Sequence, residues 1–132
     1  MEKQRKGCKC IYDFSLAVVG WEKARLAVRN GNWDEATYWL NESGERSIRF
    51  YECIKEEVKD EDYRKYIDKI IESYKWAIEE MKKVFEEKNV EKAEDWINGT
   101  IFNLEDNAFD FCRCILDDGS VARSCKRKVI NI

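Results

Sequence analysis

Apolar residues recur at alternating steps of three and four along four segments of the chain. This spacing puts them on one face of a helix, so it predicts four amphipathic helices joined by short connections. Short connections between long helices favour antiparallel neighbours. We therefore expect an all-α fold, an up-down-up-down antiparallel four-helix bundle, in a single helical domain. Its predicted parts are helices at approximately 9–30, 33–58, 60–88 and 90–117 and a basic tail at 119–132, within a domain spanning 1–132.

The start of the second helix resembles the start of the fourth. Residues 32–41 align with 89–98 without a gap at an offset of 57 residues, and Trp39 then coincides with Trp96. Both segments begin with Asn, a preferred residue for the N-terminal cap of a helix. Generic rules for capped amphipathic helices explain part of this similarity. Two duplicated helical hairpins would explain all of it.

Small and polar residues interrupt the predicted core. The middle of the second helix carries Ser43, Gly44 and Ser47, which predicts close approach by a bulky neighbour. Asn107 and Asp110 lie near the apolar stripe of the fourth helix, so we expect them to hydrogen-bond Ser43 or Ser47 in a polar layer. Such layers commonly fix the register of packed helices.

The six cysteines are concentrated at one end of the predicted bundle. In this topology the starts of the first and third helices and the ends of the second and fourth share a pole. Five cysteines fall there, and the sixth can reach it from the tail. Disulfides at this pole would stabilise the fold by about 2–4 kcal/mol each, although the sequence does not choose the pairing. The disulfide candidates are Cys8, Cys10, Cys53, Cys112, Cys114 and Cys125.

A thiolate metal site is the first alternative. Cys8, Cys10, Cys112 and Cys114 could bind zinc, copper(I) or an iron–sulfur cluster. Residues two apart in a helix point about 200° away from each other, so each Cys-x-Cys pair suits two separate partners better than one ion. The spacing therefore favours disulfides, with unpaired buried thiols as a further interpretation, and we expect no cofactor.

Positive charge is concentrated at the two termini. Residues 1–9 carry a net charge of +3 and residues 119–132 carry +4, which leaves −10 over residues 10–118. A basic end on an acidic body can orient a molecule toward phosphates, so a nucleic-acid accessory function is the second alternative. The simpler interpretation is a pair of solvated tails, because no aromatic residues are interleaved. The candidate residues are Lys3, Arg5, Lys6, Arg123, Lys126, Arg127 and Lys128.

Composition argues against common catalytic classes. The chain has no histidine, which removes Ser-His and Cys-His nucleophile pairs and the usual proton shuttle at neutral pH. It also has no glycine-rich phosphate loop. Adjacent acids flank the apolar stripes, as is typical of a solvated helix surface. We therefore expect no catalytic residues and no enzymatic activity.

The expected location is the cytoplasm. No apolar run approaches the roughly 18 residues of a membrane span, and the N-terminal segment has no secretory cleavage pattern. Cysteine-rich intracellular proteins are common in hyperthermophiles, and the abundance of Lys and Glu fits a thermophilic source.

The leading hypothesis is a non-enzymatic helical-bundle protein of unknown pathway, with an interaction or structural role and stabilised by disulfides at one pole. We expect it to bind a protein partner or a second copy of itself. The candidate contact residues are Trp33, Trp39, Arg123, Lys126, Arg127 and Lys128.

Overall fold

The computed structural model describes residues 6–126. Four α-helices account for most of this part of the chain, which confirms the all-α, four-helix class. They are α1 (Ile11–Arg29), α2 (Trp33–Glu57), α3 (Glu61–Glu86) and α4 (Val90–Cys114), and short 3₁₀ turns cover Lys6–Cys8 and Arg123–Cys125. Between residues 6 and 126 the one β-type pairing is an isolated antiparallel bridge between Ile115 and Val121.

Side-chain caps begin three of the helices. The carboxamides of Asn32 and Asn89 and the carboxylate of Asp60 each accept a hydrogen bond from the backbone N–H three residues later, at 3.0–3.2 Å. These bonds satisfy amides that have no partner within the helix. The residues before the two asparagines, Gly31 and Lys88, both have positive φ, at 71° and 56°. The tight turns before α2 and α4 are thus built in the same way.

The bounds of α2 and α4 differ by the same 57 residues that separate the two aligned sequence segments, and each helix has 25 residues. The ends of α1 and α3, Arg29 and Glu86, also differ by 57. The similarity between the two hairpins therefore extends to their helix boundaries. Duplication as the origin of this similarity stays a prediction.

Each helix packs against two others, in the pairs α1/α2, α2/α3, α3/α4 and α1/α4. Contacts along a pair run in opposite chain directions, so the start of one helix lies near the end of its neighbour. This arrangement is consistent with a helical bundle; the full up-down-up-down order stays a prediction. For α1/α2 examples are Cys10 with Cys53 and Trp21 with Ser47, and for α1/α4 they are Cys8 with Cys112 and Arg29 with Glu94. For α2/α3 they are Lys55 with Asp68 and Trp33 with Phe85, and for α3/α4 they are Tyr63 with Phe111 and Trp76 with Trp96.

The core lies along the shared axis of the four helices. Its largest fully buried side chains include Trp21, Tyr51 and Phe111. The predicted close approach at the middle of α2 is confirmed, because a Cβ atom added at Gly44 would lie 2.7 Å from the Cδ1 atom of Ile78. The Trp21 indole N–H donates to the Ser47 hydroxyl at 3.0 Å. Small residues in α2 therefore accommodate large side chains from both neighbouring helices.

Helix α4 ends at Cys114, three residues before the predicted end. The chain leaves the helix there because Ile115 pairs with Val121, and the turn between them contains Gly119 at a φ of 86°. The Gly119 carbonyl accepts a hydrogen bond from the Lys59 N–H at 2.9 Å. This turn holds the segment after α4 against the connection between α2 and α3.

Candidate functional site

The six cysteines form three pairs at one end of the bundle, which we call the cysteine pole. The Cα–Cα distances are 4.4 Å for Cys8 and Cys112, 6.1 Å for Cys10 and Cys53, and 5.8 Å for Cys114 and Cys125. All three lie in the range that disulfides adopt. The pairs link α4 to the 3₁₀ turn before α1, α2 to the start of α1, and α4 to the turn that follows it.

This pairing fits stabilisation by disulfides. The four cysteines of the alternative metal site, Cys8, Cys10, Cys112 and Cys114, are divided among three different pairs, so the oxidised protein offers none of them as a thiolate. Among residues 6–126, no group of three or more Cys, Asp or Glu side chains is placed to hold a metal ion.

The three pairs differ in their surroundings. Cys114 and Cys125 are buried, whereas Cys8 and Cys112 are half-buried. Gly7 is also buried beside them, and a Cβ atom there would overlap the Phe111 carbonyl, so the turn before α1 lies directly on α4. The Cys8–Cys112 bridge therefore lies at the surface between α1 and α4.

An apolar groove of about 230 Å³ extends from this bridge along the surface. Its walls include Ile11 and Phe14 of α1 and Ala108 and Phe109 of α4, with Glu105 as a charged member. Ile11 and Phe109 are 61% and 67% exposed. Large apolar side chains that are this exposed and gather around a groove are typical of an interaction surface.

Exposed apolar residues also recur at seven-residue spacing on each of these two helices, as Tyr12, Val19 and Leu26 on α1 and as Phe102 and Phe109 on α4. Seven residues are close to two helical turns, so such residues form a stripe along a helix. We use the name α1–α4 face for these two stripes together with Ile11; its residues are Ile11, Tyr12, Val19 and Leu26 of α1 and Phe102 and Phe109 of α4. This face was not predicted from the sequence, although its seven-residue spacing was visible there.

The two tryptophans predicted as contact residues are partly buried and pack against the core. Trp33 lies edge-on to Phe85, with ring centroids 5.9 Å apart. Trp39 is covered by Lys23 of α1, whose Nζ atom lies 4.6 Å from the ring centroid, and by Arg46 of α2, whose Cζ atom lies 5.5 Å away. Both indoles contact the core, and their part in binding a partner stays a prediction.

Trp76 of α3 is 61% exposed, and the sequence analysis did not single it out. Its ring lies 6.3 Å from that of Trp96, at an angle of 53°. Both indoles line a groove of about 540 Å³ between α3 and α4, together with Asp95 and Gly99. The sequence did indicate that Trp76 is exposed, because this residue lies off the apolar stripe of α3.

The expected polar layer forms with different partners. Asn107 donates to the Tyr51 hydroxyl at 2.9 Å, and Asp110 accepts from Arg113 at 3.0 Å. The prediction that Asn107 and Asp110 bond Ser43 or Ser47 was therefore wrong. Ser47 instead accepts from Trp21 and donates to the Ser43 carbonyl at 2.8 Å.

Three core tyrosines have raised pKa values. Burial raises the pKa of Tyr51, Tyr63 and Tyr74, because a phenolate loses its hydration in the core. At the surface, hydrogen bonds from Ser120 hold the pKa of Asp118 below its usual value. Tyr51, Tyr63 and Tyr74 belong to the core, and Asp118 belongs to the turn after α4.

The basic candidates are only partly covered by the structure. Lys6 is half-buried in the turn before α1, Arg123 is exposed, and Lys126 lies 3.8 Å from the carboxylate of Asp60. These three lie at or near the cysteine pole, at the two ends of the described chain. The other candidates, Lys3, Arg5, Arg127 and Lys128, lie outside the described residues.

In the described part of the chain, none of the helices has the length and apolar character that crossing a bilayer requires. No protein-family model, no curated protein and no solved structure matches the chain.

Proposed function

We propose that this protein is a non-enzymatic, disulfide-stabilised helical scaffold that acts by self-association, and that the α1–α4 face of one copy packs on the same face of a second copy. The observation that carries the proposal is the seven-residue spacing of exposed apolar residues on two neighbouring helices. Tyr12, Val19 and Leu26 follow it on α1, and Phe102 and Phe109 follow it on α4.

This spacing indicates a helical partner. Apolar residues repeated every seven positions form the seam along which one helix packs on another. Within residues 6–126, the four helices already pack on one another in pairs. A helix of a second copy supplies the same seven-residue spacing, so it is the partner that this face fits best.

The area of the face suits a dimer. Phe102 and Phe109 are 66% and 67% exposed, and an aromatic side chain offers roughly 150–250 Å². With Ile11, Tyr12, and the two aliphatic residues of the stripe, the face exposes on the order of 700 Å² of largely apolar residues. A stable interface buries about 800 Å² on each partner. A symmetric dimer uses one such patch twice, so no second surface is needed.

The disulfides support this role by holding the face in shape. The Cys8–Cys112 bridge joins the segment before α1 to α4 beside the groove that Ile11 and Phe109 line. It therefore restrains the two helices whose exposed residues would meet the partner. A rigid surface loses less conformational entropy on association. We propose that the stapled pole preorganises the interface and performs no chemistry.

Sedimentation velocity over a wide range of protein concentration tests the proposal. The oxidised wild-type protein should change from monomer to dimer as concentration rises. The double variant Phe102→Ser and Phe109→Ser should remain monomeric, with an unchanged circular dichroism spectrum. Tyr38→Ser is the matched control, because Tyr38 is an aromatic residue 59% exposed on α2. It should dimerise like the wild type.

Two results would overturn the proposal. One is a wild-type protein that stays monomeric at every concentration, which would assign the α1–α4 face to a different protein. The other is a Phe102→Ser and Phe109→Ser variant that dimerises as strongly as the wild type, which would place the interface elsewhere.

A further inference from the structure

The groove between α3 and α4 combines aromatic faces with a carboxylate. Trp76 and Trp96 line it with their rings 6.3 Å apart, and Asp95 lies on the same groove. Ser73 and Asn103 add a hydroxyl and a carboxamide, and the volume is about 540 Å³. Trp76 is 61% exposed, so its ring is available from solvent.

Gly99 leaves the backbone of α4 bare beside these rings. A glycine within a helix is less favourable than alanine, so its presence calls for a reason. Gly99 has no positive φ, and a Cβ atom added there would meet nothing within 4 Å. Neither backbone conformation nor internal packing requires it. Its effect is to widen the groove next to Trp96.

The aligned position in the first hairpin shows what covers such an indole. Trp39 coincides with Trp96 at the offset of 57 residues. The Lys23 ammonium lies 4.6 Å from the Trp39 ring centroid, and the Arg46 guanidinium carbon lies 5.5 Å from it. Arg46 is held by Glu42, with 3.3 Å between Nε and Oε1. The chain thus covers Trp39 with its own cations.

The second hairpin lacks these cations. At the same offset, Glu42 and Arg46 correspond to Gly99 and Asn103, and Lys23 corresponds to Glu80. The ion pair that covers Trp39 is thus replaced by a bare backbone and a neutral side chain. Cationic side chains fill the space beside Trp39 in the first hairpin, whereas the corresponding space beside Trp96 in the second hairpin is an open groove.

We infer that the α3–α4 groove binds an organic cation, an alkylammonium group that takes the place at Trp96 that Lys23 and Arg46 take at Trp39. Indole faces attract cations through their negative electrostatic potential, and cages of aromatic residues recognise quaternary ammonium groups. The Asp95 carboxylate supplies the opposite charge. The net charge of −10 over residues 10–118 draws cations toward the body of the protein.

The groove also limits where the cation binds. A neighbouring stretch of about 340 Å³ shares Ser73, Thr100 and Asn103 with it and is lined by Lys69 and Tyr66 at its far end. The Lys69 ammonium repels a like charge. The cation is therefore expected at the tryptophan end, with the uncharged part of the ligand extending toward Asn103.

Titration of the full-length oxidised protein with tetramethylammonium chloride tests this inference, followed by indole fluorescence and isothermal calorimetry. A peptide amide containing trimethyl-lysine is the second arm and distinguishes a side-chain ligand from a free small molecule. The neutral control is 3,3-dimethyl-1-butanol, which has a similar shape without the charge. At least one of the two cations should bind at least about tenfold more tightly than the alcohol.

Variants locate the site. Trp76→Leu should weaken binding at least about tenfold, and Asp95→Asn should weaken it several-fold. The double variant Gly99→Glu and Asn103→Arg transplants the pair that covers Trp39, and it should abolish binding by filling the groove. Tyr38→Ser on α2 should leave the affinity unchanged. Circular dichroism verifies that each variant is folded.

The inference is overturned if neither cation binds, if the neutral alcohol binds as well as the cations, or if a folded Trp76→Leu protein keeps the wild-type affinity. None of these results bears on self-association, because the α1–α4 face and the α3–α4 groove share no residue.

Discussion

Gly20 of α1 lies directly against Ser43 of α2, and the two residues set the separation of these helices. A Cβ atom at position 20 would overlap the Ser43 hydroxyl and would lie 3.1 Å from the Ser43 Cβ atom. The next residue, Trp21, donates its indole N–H to Ser47 one turn along α2. The close approach therefore places the largest core side chain within reach of its hydrogen-bond partner.

Replacing Gly20 with alanine should destabilise the fold. Overpacking of a core contact costs about 1–3 kcal/mol, which exceeds the gain from a better helix former. Ser43→Ala alone should be neutral or slightly stabilising, because the Ser43 hydroxyl is buried without a hydrogen-bond partner among the described residues. Combining both changes should recover part of the loss. Urea unfolding measures all three, and additive effects would contradict direct contact between the two positions.

Two core tyrosines should respond oppositely to loss of their hydroxyl. The Tyr74 hydroxyl is buried beside Trp21 and Ser47, which already bond each other at 3.0 Å, and neither lies in good hydrogen-bond geometry with it. Tyr74→Phe should therefore raise the free energy of unfolding by about 0.5–1 kcal/mol. The Tyr51 hydroxyl accepts from Asn107 at 2.9 Å, so Tyr51→Phe should lower it by about 1 kcal/mol. The two variants are matched controls in the same unfolding experiment. Changes of equal sign would contradict the assigned hydrogen bonding.

Periodicity within each helix was enough to predict the fold class, because burial follows the apolar stripe. Ile67, Tyr74 and Ile78 of α3 illustrate this, since their spacing of seven and four residues puts them on one side of the helix and all three are buried. Contacts between helices were harder to predict. Asn107 bonds Tyr51 instead of the expected serines because the register between α2 and α4 depends on how whole helices pack, which the pattern of one helix does not contain.

The candidate sites show the same difference between what the pattern of one helix predicts and what depends on packing between helices. The gathering of cysteines at one pole followed from helix lengths and topology, but their pairing depends on positions to within an ångström or two. Trp39 was a candidate contact residue in the sequence, which does not show that Lys23 and Arg46 cover its ring. These two cations become its neighbours only after the helices pack. Trp76 was not predicted because it lies outside both the apolar stripe of α3 and the repeated segments. An aromatic residue off the stripe is the better candidate for an exposed surface.

Stability should fall above about pH 10. An unfolded tyrosine releases its proton near this pH, whereas burial raises the pKa of Tyr51, Tyr63 and Tyr74 in the folded protein. The folded state then binds more protons than the unfolded state, so the free energy of unfolding decreases as pH rises. Each tyrosine contributes about 1.4 kcal/mol per pH unit. The stabilisation is complete below about pH 10 and is lost progressively above it.

Urea unfolding at several pH values between about 9 and 11.5 measures this slope. Tyr74→Phe removes one of the three groups, so its slope should be about one third smaller than that of the wild type. A stability that does not change across this range would contradict burial of these hydroxyls.

The three disulfides should contribute unequally to stability. The Cys8–Cys112 bridge spans 104 residues, and the Cys114–Cys125 bridge spans 11. A longer closed loop restricts the unfolded chain more, so replacing Cys8 and Cys112 with alanine should cost about 4–5 kcal/mol, against about 3 kcal/mol for Cys114 and Cys125. Burial adds a second difference, because Cys114 and Cys125 are 1% and 3% exposed and Cys8 and Cys112 are half-buried.

Partial reduction of the folded protein separates these effects. Under a mild phosphine reductant, the Cys8–Cys112 bridge should open first because its sulfurs are more accessible, and alkylation followed by peptide mass analysis identifies the opened pair.

Thermal unfolding of the two double-alanine variants then ranks their contributions, with the fully reduced protein as the lower limit. Six cysteines that are alkylated in the native protein without reductant would show that the bridges do not form. Opening of the buried pair first would show that access at the cysteine pole is controlled by motion of the segment after α4 instead of by static burial.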